Sequence, residues 1–526
     1  MAQTLPPQWI VAVAPDFRQA VEPLAKQRLD QGLHPVIVQT NDILTADEIR
    51  AGKAVKLRDH LHKLCRQSAG ASYILLVGTT QAADPKDAAG TVVPPLTGTT
   101  GRMAGQPSDN AYGCLGADLL PTVAVGRLPA RTVAEARQMV EKILAFERDS
   151  ERRLWQRQIT LLVGDPGGVG AAERTVANFY VNTACQGTSD LLHPAWDVRA
   201  IFHIPGSVFY VPDEKLHEQS LEYLSQGQAF TFFLGHSNAG GLWSNNARFL
   251  DRDDFASLKI PRGPGILATC GCYACQLPSL LSLPGRGQEG YGLAAMRNPA
   301  GPVAVMGANG ESYAAMGQLA FDGLLNCFAG PGLPPHLGDC WLQMKTGLAK
   351  GNIGFLTFKM FDYADGSRGA IPLATQRLEH LEMWMLLGDP AMRLPPAPAE
   401  IRLQTPPDIA QGASMNIRGT LPAGFADTPV RVSLLRPMSG RPLDLQPLPD
   451  APPDARAQAI LANHAKANDR VLLTKETPAR NGQFEVKLDL PASLPWPRLI
   501  LRAQATSAQT DALGAVLLSV RQAQTR

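Results

Sequence analysis

The sequence predicts two α/β units in tandem, followed by a smaller β-sandwich, and three observations lead to this prediction. The chain has 526 residues, which is too long for one hydrophobic core and suggests two to four domains. Short continuous apolar runs alternate with helical patterns up to about residue 395. Beyond a proline-rich segment at 394–398, the pattern changes to short strands of alternating apolar and polar residues.

Residues 1–150 form the first predicted unit. Its first strands are predicted at 9–14, 34–38 and 73–78. Continuous apolar runs of this kind are typical of strands that are buried on both faces, as in a parallel sheet, and helical patterns separate them here. A loop rich in Gly, Pro, Asp and Thr follows at 79–120, and a strand at 122–125 and a helix from 132 to about 148 complete the unit.

Residues 151–395 form the second predicted unit, because the alternation of strands and helices starts again there. Its strands are predicted at 158–163, 198–203, 229–234, 264–269 and 303–306. Residues 396–526 form the last unit. Its strands, in which apolar and polar residues alternate, are predicted at 431–435, 482–488 and 499–502. Alternation predicts a small β-sandwich in which one face of each sheet is buried.

Composition and charge exclude several classes of function. Hydrophobic residues make up 45% and charged residues 18% of the chain, which is typical of a folded protein. Because 49 Lys and Arg against 47 Asp and Glu leave a formal charge of +2, neither nucleic acid nor an anionic membrane is expected as the main partner. No apolar run reaches the length of about 20 residues that spans a membrane.

The cellular location is predicted from the N-terminus and the cysteines. The first residues lack the basic and apolar segments of a signal peptide. Eight cysteines in a chain of this length are too few for a disulfide scaffold. We therefore expect a reducing, cytoplasmic location, and export by a route that is not readable from the sequence is the alternative.

Two of the predicted strands end in residues that can carry out nucleophilic chemistry. The segment FTFFLGHSN at 230–238 places His236 directly after a buried strand, and GILATCGC at 265–272 does the same for Cys270 and Cys272. Ligands bind beyond the carboxyl ends of the strands in an open α/β sheet, so neighbouring strands would bring imidazole and thiol together. A histidine can convert a thiol into a nucleophilic thiolate, and the adjacent glycines leave backbone N–H groups for an oxyanion.

The same pattern has plainer explanations. A histidine after a strand is commonly a hydrogen-bonded polar residue, and buried thiols commonly fill space in a core. Cys270, Cys272 and Cys275 lie close together, but no second Cys or His pair with ligand spacing completes a zinc site. The other histidines interpreted as solvated positions on helices are His60, His62, His217 and His464.

Several motifs occur in the order that is typical of one family. They are SDNAYG at 108–113, VAVGRL at 123–128, FER at 146–148, FLGH at 233–236, GPVAVM at 301–306 and WMLLGDPA at 384–391. With these motifs the chain resembles the gingipain-type cysteine peptidases across almost its full length. The resemblance implies two tandem caspase-like α/β subdomains, followed by an all-β immunoglobulin-like sandwich.

The resemblance also implies a catalytic dyad. His236 matches the catalytic histidine, and Cys272 fits the nucleophile best, although Cys275 stands where the family has glycine. Cys270 remains the alternative nucleophile. The family has a glycine at the position of Ser237, where it lets the backbone N–H turn toward the oxyanion. Because serine keeps its N–H, we still expect the N–H groups of Ser237 and Cys272 to bind the oxyanion.

Three further residues receive roles from the resemblance alone. Asp165 matches an acidic residue near the catalytic histidine, where it would orient the imidazole and favour its charged form. Trp243 and Tyr313 match aromatic residues at the substrate pocket. The family members that cleave at basic residues have an aspartate in the pocket, but the matching stretch at 169–172 contains no acid. We therefore expect cleavage after a small or apolar residue and not after Arg or Lys.

These observations together predict a cysteine endopeptidase that acts on protein or peptide substrates through His236, Cys272 and a thioester. No metal or cofactor is expected in the chemistry; the resemblance allows a structural calcium ion, although no acidic calcium loop is visible. One alternative is a pseudo-peptidase that serves as a protein-binding scaffold, which the replacement by Ser237 favours. Another is a redox or metal sensor built on the three clustered cysteines, in which His236 would be dispensable. The oligomeric state is not indicated.

Overall fold

The structure is a computed structural model that describes residues 6–68, 70, 72–148, 152–167, 170–260, 265–278, 289–406, 408–450 and 452–521. The strands before residue 395 are β1 Gln8–Val13, β2 His34–Gln39, β3 Ser72–Val77, β4 Leu96–Thr97, β5 Pro107–Ser108, β6 Ala124–Leu128, β7 Gln158–Val163, β8 Asp197–Phe202, β9 Phe230–Leu234, β10 His236–Asn238, β11 Gly241–Ser244, β12 Ala247–Asp251, β13 Ile266–Thr269, β14 Ala304–Ala308 and β15 Trp384–Leu387.

Helices surround these strands. They are α1 Glu22–Asp30, α2 Thr40–Ile43, α3 Ala46–Arg50, α4 Val55–Arg66, α5 Ala88–Thr91, α6 Val133–Arg148, α7 Ala171–Ser189, α8 Asp213–Ser225, α9 Arg252–Ser257, α10 Tyr291–Arg297, α11 Ala314–Leu325, α12 Leu337–Lys350, α13 Phe355–Asp365 and α14 Leu373–Met383. None of the described helices is long and apolar enough to span a membrane.

Ten of the strands form one sheet, in the order β2-β1-β3-β6-β15-β14-β13-β9-β7-β8. Strands β2, β1, β3 and β6 are parallel to one another, and so are β14, β13, β9, β7 and β8. Between the two groups, β15 is antiparallel to β14. The continuous apolar runs explain this architecture, because a strand such as β1 is buried over its whole length.

The predicted strands of both α/β units therefore lie in a single sheet. The strands predicted in the second unit agree with β7, β8, β9, β13 and β14 to within two residues, except that residue 264 lies outside the described residues. The division of the peptidase part at residue 150 stays a prediction.

The remaining residues fold around a separate apolar core. Their strands are β16 Ala399–Glu400, β17 Arg402–Gln404, β18 Asp408–Ala410, β19 Ser414–Thr420, β20 Val430–Leu435, β21 Val471–Thr477, β22 Gln483–Asp489, β23 Arg498–Thr506 and β24 Asp511–Arg521. They form a larger sheet around β23 and β24 and a three-stranded sheet of β17, β19 and β22, as predicted for a sandwich. The helix α15 Pro453–Asn468 lies between β20 and β21, which agrees with the interpretation of His464 as a position on a helix, although the predicted all-β sandwich did not include a helix.

Helix α15 attaches this β-domain to β8, the edge strand of the large sheet. The Asn468 side chain accepts from the Ala200 N–H at 2.7 Å and donates to the Ala200 carbonyl at 3.0 Å, as a neighbouring strand would. His464 is buried and contacts the Tyr223 hydroxyl at 2.7 Å. The interpretation of His464 as solvated was therefore wrong, and the same holds for His62, which is also buried.

Candidate active site

His236 lies where β9 turns into the short hairpin of β10 and β11. Gly235 makes this turn with φ 155°, and a Cβ there would come within 3.1 Å of the Gly164 Cα, so the close approach of the two loops requires glycine. The side chain of His236 is 41% exposed. The imidazole is therefore accessible from solvent, although the preceding strand β9 is buried over most of its length.

Cys272 lies at the end of the neighbouring strand. Phe233 of β9 pairs with Thr269 of β13, and His236 and Cys272 each follow three residues later. The Cys272 Sγ donates to the Ser312 carbonyl at 3.4 Å. The next residue, Tyr273, has φ 59°, a left-handed conformation that is uncommon for a residue other than glycine and marks a constrained loop.

The Cys272 thiol is neutral in this environment. Burial raises the pKa of the Cys272 thiol to about 12, and the carboxylates of Asp365 and Glu311 add to the rise against the hydrogen bond to Ser312. No hydrogen bond joins Cys272 to His236 within the part of the chain that the structure describes. The thiol would therefore have to lose its proton before it could act as a nucleophile.

Ser237 connects the two strand ends. Its Oγ donates to the Cys272 carbonyl at 2.6 Å, and a Cβ on Gly271 would clash with that Oγ. Ser237 is not one of the non-glycine residues with positive φ. Its backbone conformation is therefore one that a side chain tolerates, and the hydroxyl ties the loop of His236 to the loop of Cys272.

Asp165 lies behind His236 but does not bond to it. Its carboxylate accepts from Arg174 at 2.7 Å and from the Gly167 N–H at 2.8 Å. Burial opposes ionisation, yet these hydrogen bonds bring the pKa of Asp165 below its ordinary value. A Cβ on Gly167 would lie 3.1 Å from the His236 Nε2, so Asp165 holds the loop that contacts the imidazole.

Among the described residues, the carboxylate that lies within 4.0 Å of His236 belongs to Asp365, at the end of α13. Its Oδ2 lies 4.0 Å from the His236 Nδ1, and its side chain is 42% exposed. Burial raises the pKa of Asp365, and the charge of His236 opposes this rise only in part. Sequence reasoning missed Asp365, because no local pattern distinguishes it from other aspartates near the end of a helix.

A small cavity of about 70 Å³ lies beside His236. Its wall is mainly apolar and includes Val181, Ala184, Leu234, Phe361 and Cys270. The Cys270 Sγ donates to the Gly317 carbonyl at 3.4 Å, and burial raises the pKa of this thiol well above its ordinary value. Cys275 is fully buried, so the three clustered cysteines lie in three different environments.

Neither aromatic residue predicted at the pocket belongs to the lining of this cavity. Trp243 pairs with His236 across the hairpin of β10 and β11. Tyr313 lies on the side of Cys272, directly after Ser312, and the Arg102 guanidinium stacks on its ring with Cζ 3.8 Å from the centroid. Trp243 is therefore a neighbour of His236, and Tyr313 directly follows the hydrogen-bond partner of Cys272.

The comparisons with known proteins agree with this geometry. A sequence model described as peptidase family C25 matches residues 2–395. The complex of the pro- and mature domains of RgpB from Porphyromonas gingivalis has a TM-score of 0.52 and 14% identity, over 98% of this chain and 100% of that one. A structure described only as a protease has a TM-score of 0.53 and 14% identity, over 98% and 97% of the two chains. Both share the fold.

No curated protein matches the sequence. The match to the family model extends over three quarters of the chain and contains both strand ends described above. The chain therefore belongs to peptidase family C25, the gingipain family of cysteine endopeptidases.

Proposed function

We propose that His236 and Cys272 carry the peptide-bond hydrolysis of this cysteine peptidase. The register of β9 and β13 is the observation that carries the proposal. The two strands are parallel neighbours, and the last residue pair in their register lies equally far along the chain from His236 and from Cys272. The hydrogen bond from Ser237 Oγ to the Cys272 carbonyl supports it, because it couples the two loops. No metal or cofactor is needed for this chemistry.

The reaction begins with proton transfer from the Cys272 thiol to the His236 imidazole. The thiolate attacks the peptide carbonyl, and the N–H groups of Ser237 and Cys272 stabilise the oxyanion. His236 then donates its proton to the leaving amine, and a thioester with Cys272 remains. Water, deprotonated by His236, hydrolyses the thioester and restores the thiol.

Asp365 acts as a positioning residue in this proposal. A carboxylate 4.0 Å from the His236 Nδ1 favours the imidazolium that forms when Cys272 loses its proton. Asp165 has a different role, because its carboxylate is bound by Arg174 and by its own loop. It keeps Gly167 against the imidazole and so limits the movement of the ring.

The proposed substrate has a small or apolar residue before the cleaved bond. Val181, Leu234 and Phe361 supply an apolar wall beside His236, and the volume of about 70 Å³ suits a small side chain. Asp365 is the carboxylate in the described lining, and it faces His236. A buried Arg or Lys side chain would therefore lack a dedicated partner.

The test is labelling with a library of peptidyl acyloxymethyl ketones, followed by mass mapping of the modified thiol. We expect labelling at Cys272 in the wild type, none in Cys272→Ala or His236→Ala, and wild-type labelling in the matched control Cys270→Ala. The preferred probe would define the residue before the cleaved bond.

Three outcomes would contradict the proposal in different ways. Labelling at Cys270 would make that residue the nucleophile, and labelling that persists in His236→Ala would remove the dyad. A folded protein that is neither labelled nor able to cleave a denatured protein substrate would be the pseudo-peptidase.

A further inference from the structure

A second cavity, of about 590 Å³, lies far from the dyad, between the peptidase part and the β-domain. Its walls come from the segment before β7, the start of β8, the end of α8, and strands β23 and β24. Its chemically important lining residues are Trp155, Arg157, Asp197, Arg199, Arg502 and Gln504. This interdomain cavity has the size of a typical small-molecule site.

Arg157 is the unusual residue of the interdomain cavity. Its side chain is 1% exposed and stacks on Trp196, with Cζ 4.5 Å from the ring centroid. The Nη1 donates to the Gln156 carbonyl at 3.3 Å, but Nε and Nη2 have no hydrogen-bond partner among the described residues. No carboxylate among the described residues forms an ion pair with it.

A buried guanidinium without a counter-ion is costly. Burial lowers the pKa of Arg157 to about 10, which reflects the same cost but leaves the group charged at neutral pH. Arg436 shows how such a group is otherwise accommodated, because it is also buried but donates to several backbone carbonyls. Arg157 lacks that set of hydrogen bonds, so a group bound in the adjacent cavity would compensate for its buried charge.

The other charges of the interdomain cavity have the same sign. Arg199 and Arg502 also line it, and Asp197 is the carboxylate in the described lining. Asp197 is already shared, at 3.0 Å from Arg502 Nη1 and at 2.5 Å from Arg470 Nη2. Three guanidinium groups therefore surround one carboxylate. Arg199 already donates to Thr160, Gln226, Gly227 and Gln228, and Arg502 donates to the carbonyls of Pro194 and Trp196. Of the three, Arg157 is the one whose Nε and Nη2 have no partner among the described residues.

We propose that the interdomain cavity binds a small tetrahedral oxyanion, either inorganic phosphate or the phosphoryl group of a small metabolite. Guanidinium groups are the side chains best suited to phosphate oxygens, and Trp155 and Gln504 offer additional contacts for a larger phosphorylated molecule. Because Arg157 and Arg199 belong to the peptidase part and Arg502 to the β-domain, the bound anion links the two. The inference does not depend on the proposed dyad.

The test measures binding to the full-length protein by calorimetry and thermal unfolding at constant ionic strength. The probes are inorganic phosphate, AMP and glucose 6-phosphate, with chloride as the reference ion. We expect saturable binding with one site per chain, and a Tm that rises with probe concentration. Tighter binding of phosphate than of the two esters assigns the site to the free ion, and the reverse assigns it to a phosphorylated metabolite.

Three variants make the test specific. Arg157→Met should weaken binding at least tenfold, whereas Arg431→Gln, which removes an exposed arginine of the β-domain, should bind as the wild type does. Gln504→Glu places a carboxylate inside the cavity and should also abolish binding, and it keeps every arginine in place if Arg157→Met fails to fold. The proposal is overturned if no probe binds saturably, or if Gln504→Glu binds phosphate as tightly as the wild type.

Discussion

The two halves of the ten-stranded sheet use their buried polar residues in different ways. In the half formed by β1, β2, β3 and β6, Arg28 donates to Asp389 at 2.7 and 2.9 Å and to both oxygens of Glu147 at 2.8 Å. The Trp9 indole also donates to Asp389, at 3.0 Å. These groups are almost fully buried and their hydrogen bonds are satisfied.

The second buried ion pair of that half follows the same principle. Arg127 forms two parallel hydrogen bonds of 2.8 Å to Asp109 and donates to the carbonyls of Gly78 and Val93. Bidentate pairs of this kind combine strong bonding with a fixed geometry. They hold the loop at 79–120 against the carboxyl ends of β3 and β6.

The half formed by β7, β9, β13 and β14 differs. His236 and Cys272 follow its strand ends, and Asp365 approaches from the end of α13. These groups are partly exposed and joined only loosely, with 4.0 Å between the His236 Nδ1 and the Asp365 Oδ2. Such groups can exchange protons and accept a substrate, which a fully satisfied pair cannot do.

This difference divides the motifs of the family into two groups. Asp109 of SDNAYG, Arg127 of VAVGRL, Glu147 of FER and Asp389 of WMLLGDPA lie in the buried ion pairs, so these motifs report on stability. In the proposed mechanism, FLGH and the cysteine segment carry the chemistry. A substitution in the first group should therefore unfold the protein, whereas one in the second should leave it folded and impair it.

The largest expected effect is that of Asp389→Ala. Removing this carboxylate leaves the buried Arg28 with Glu147 and the neutral Gln31, and the loss of a buried charged partner costs about 3–5 kcal/mol of unfolding free energy. Urea denaturation of the inactive Cys272→Ala background measures it without self-cleavage. The matched control Asp408→Ala removes an exposed partner of Arg521 and should cost about 0.5 kcal/mol or less. Equal losses for the two variants would contradict the structural role of the pair.

Asp365→Asn should have an intermediate effect, confined to activity. An ion pair at about 4 Å in partly exposed surroundings contributes roughly 1 kcal/mol, so kcat/KM should fall about fivefold to tenfold with little change in stability. Because the pKa of Asp365 is raised, its carboxylate becomes protonated earlier than an ordinary aspartate as the pH falls. The wild type should lose activity through that pH range, and the variant should lack this step.

The pH profile separates positioning from structure. Asp165→Asn serves as the comparison, because it breaks the contact with Arg174 and should lower stability without removing the step that belongs to Asp365. A pH profile of activity that changes in Asp165→Asn and not in Asp365→Asn would show that Asp165, and not Asp365, orients the imidazole of His236.

Much of the fold could be predicted because its strands are buried on both faces. A largely apolar run such as TLLV at the end of β7 is compatible with few structures other than a buried strand, and the predicted strand matches β7 residue for residue. The predicted sandwich did not include helix α15, although His464 was interpreted as a position on a helix. The alanine-rich sequence of the helix has no strong apolar face, and its position depends on contacts with β8, which lies about 270 residues away in sequence.

The site could be predicted only in part, for a related reason. His236 and Cys272 each follow a strand directly, so local sequence places them at an edge of the sheet. Asp365 approaches His236 from α13. The tertiary fold places this helix beside the imidazole, and no sequence motif close to His236 indicates it. Asp165 was expected near His236 from the family resemblance, but Arg174 on α7 binds its carboxylate, and that contact has no sequence signature.

The smallest effects are expected at Ser237. This residue forms a satisfied hydrogen bond, as the buried ion pairs do, but it lies in the half of the sheet that carries His236 and Cys272. Ser237→Ala removes the bond to the Cys272 carbonyl, worth about 1 kcal/mol, and should lower kcat/KM no more than about fivefold, since the backbone N–H remains. Ser237→Gly restores the glycine of the family but also removes the bond, and it adds backbone freedom. We expect it to be no more active than Ser237→Ala in a peptide-cleavage assay. An increase of tenfold or more over the wild type would instead mean that the serine side chain impairs the oxyanion site, and it would favour the scaffold function that the sequence left open.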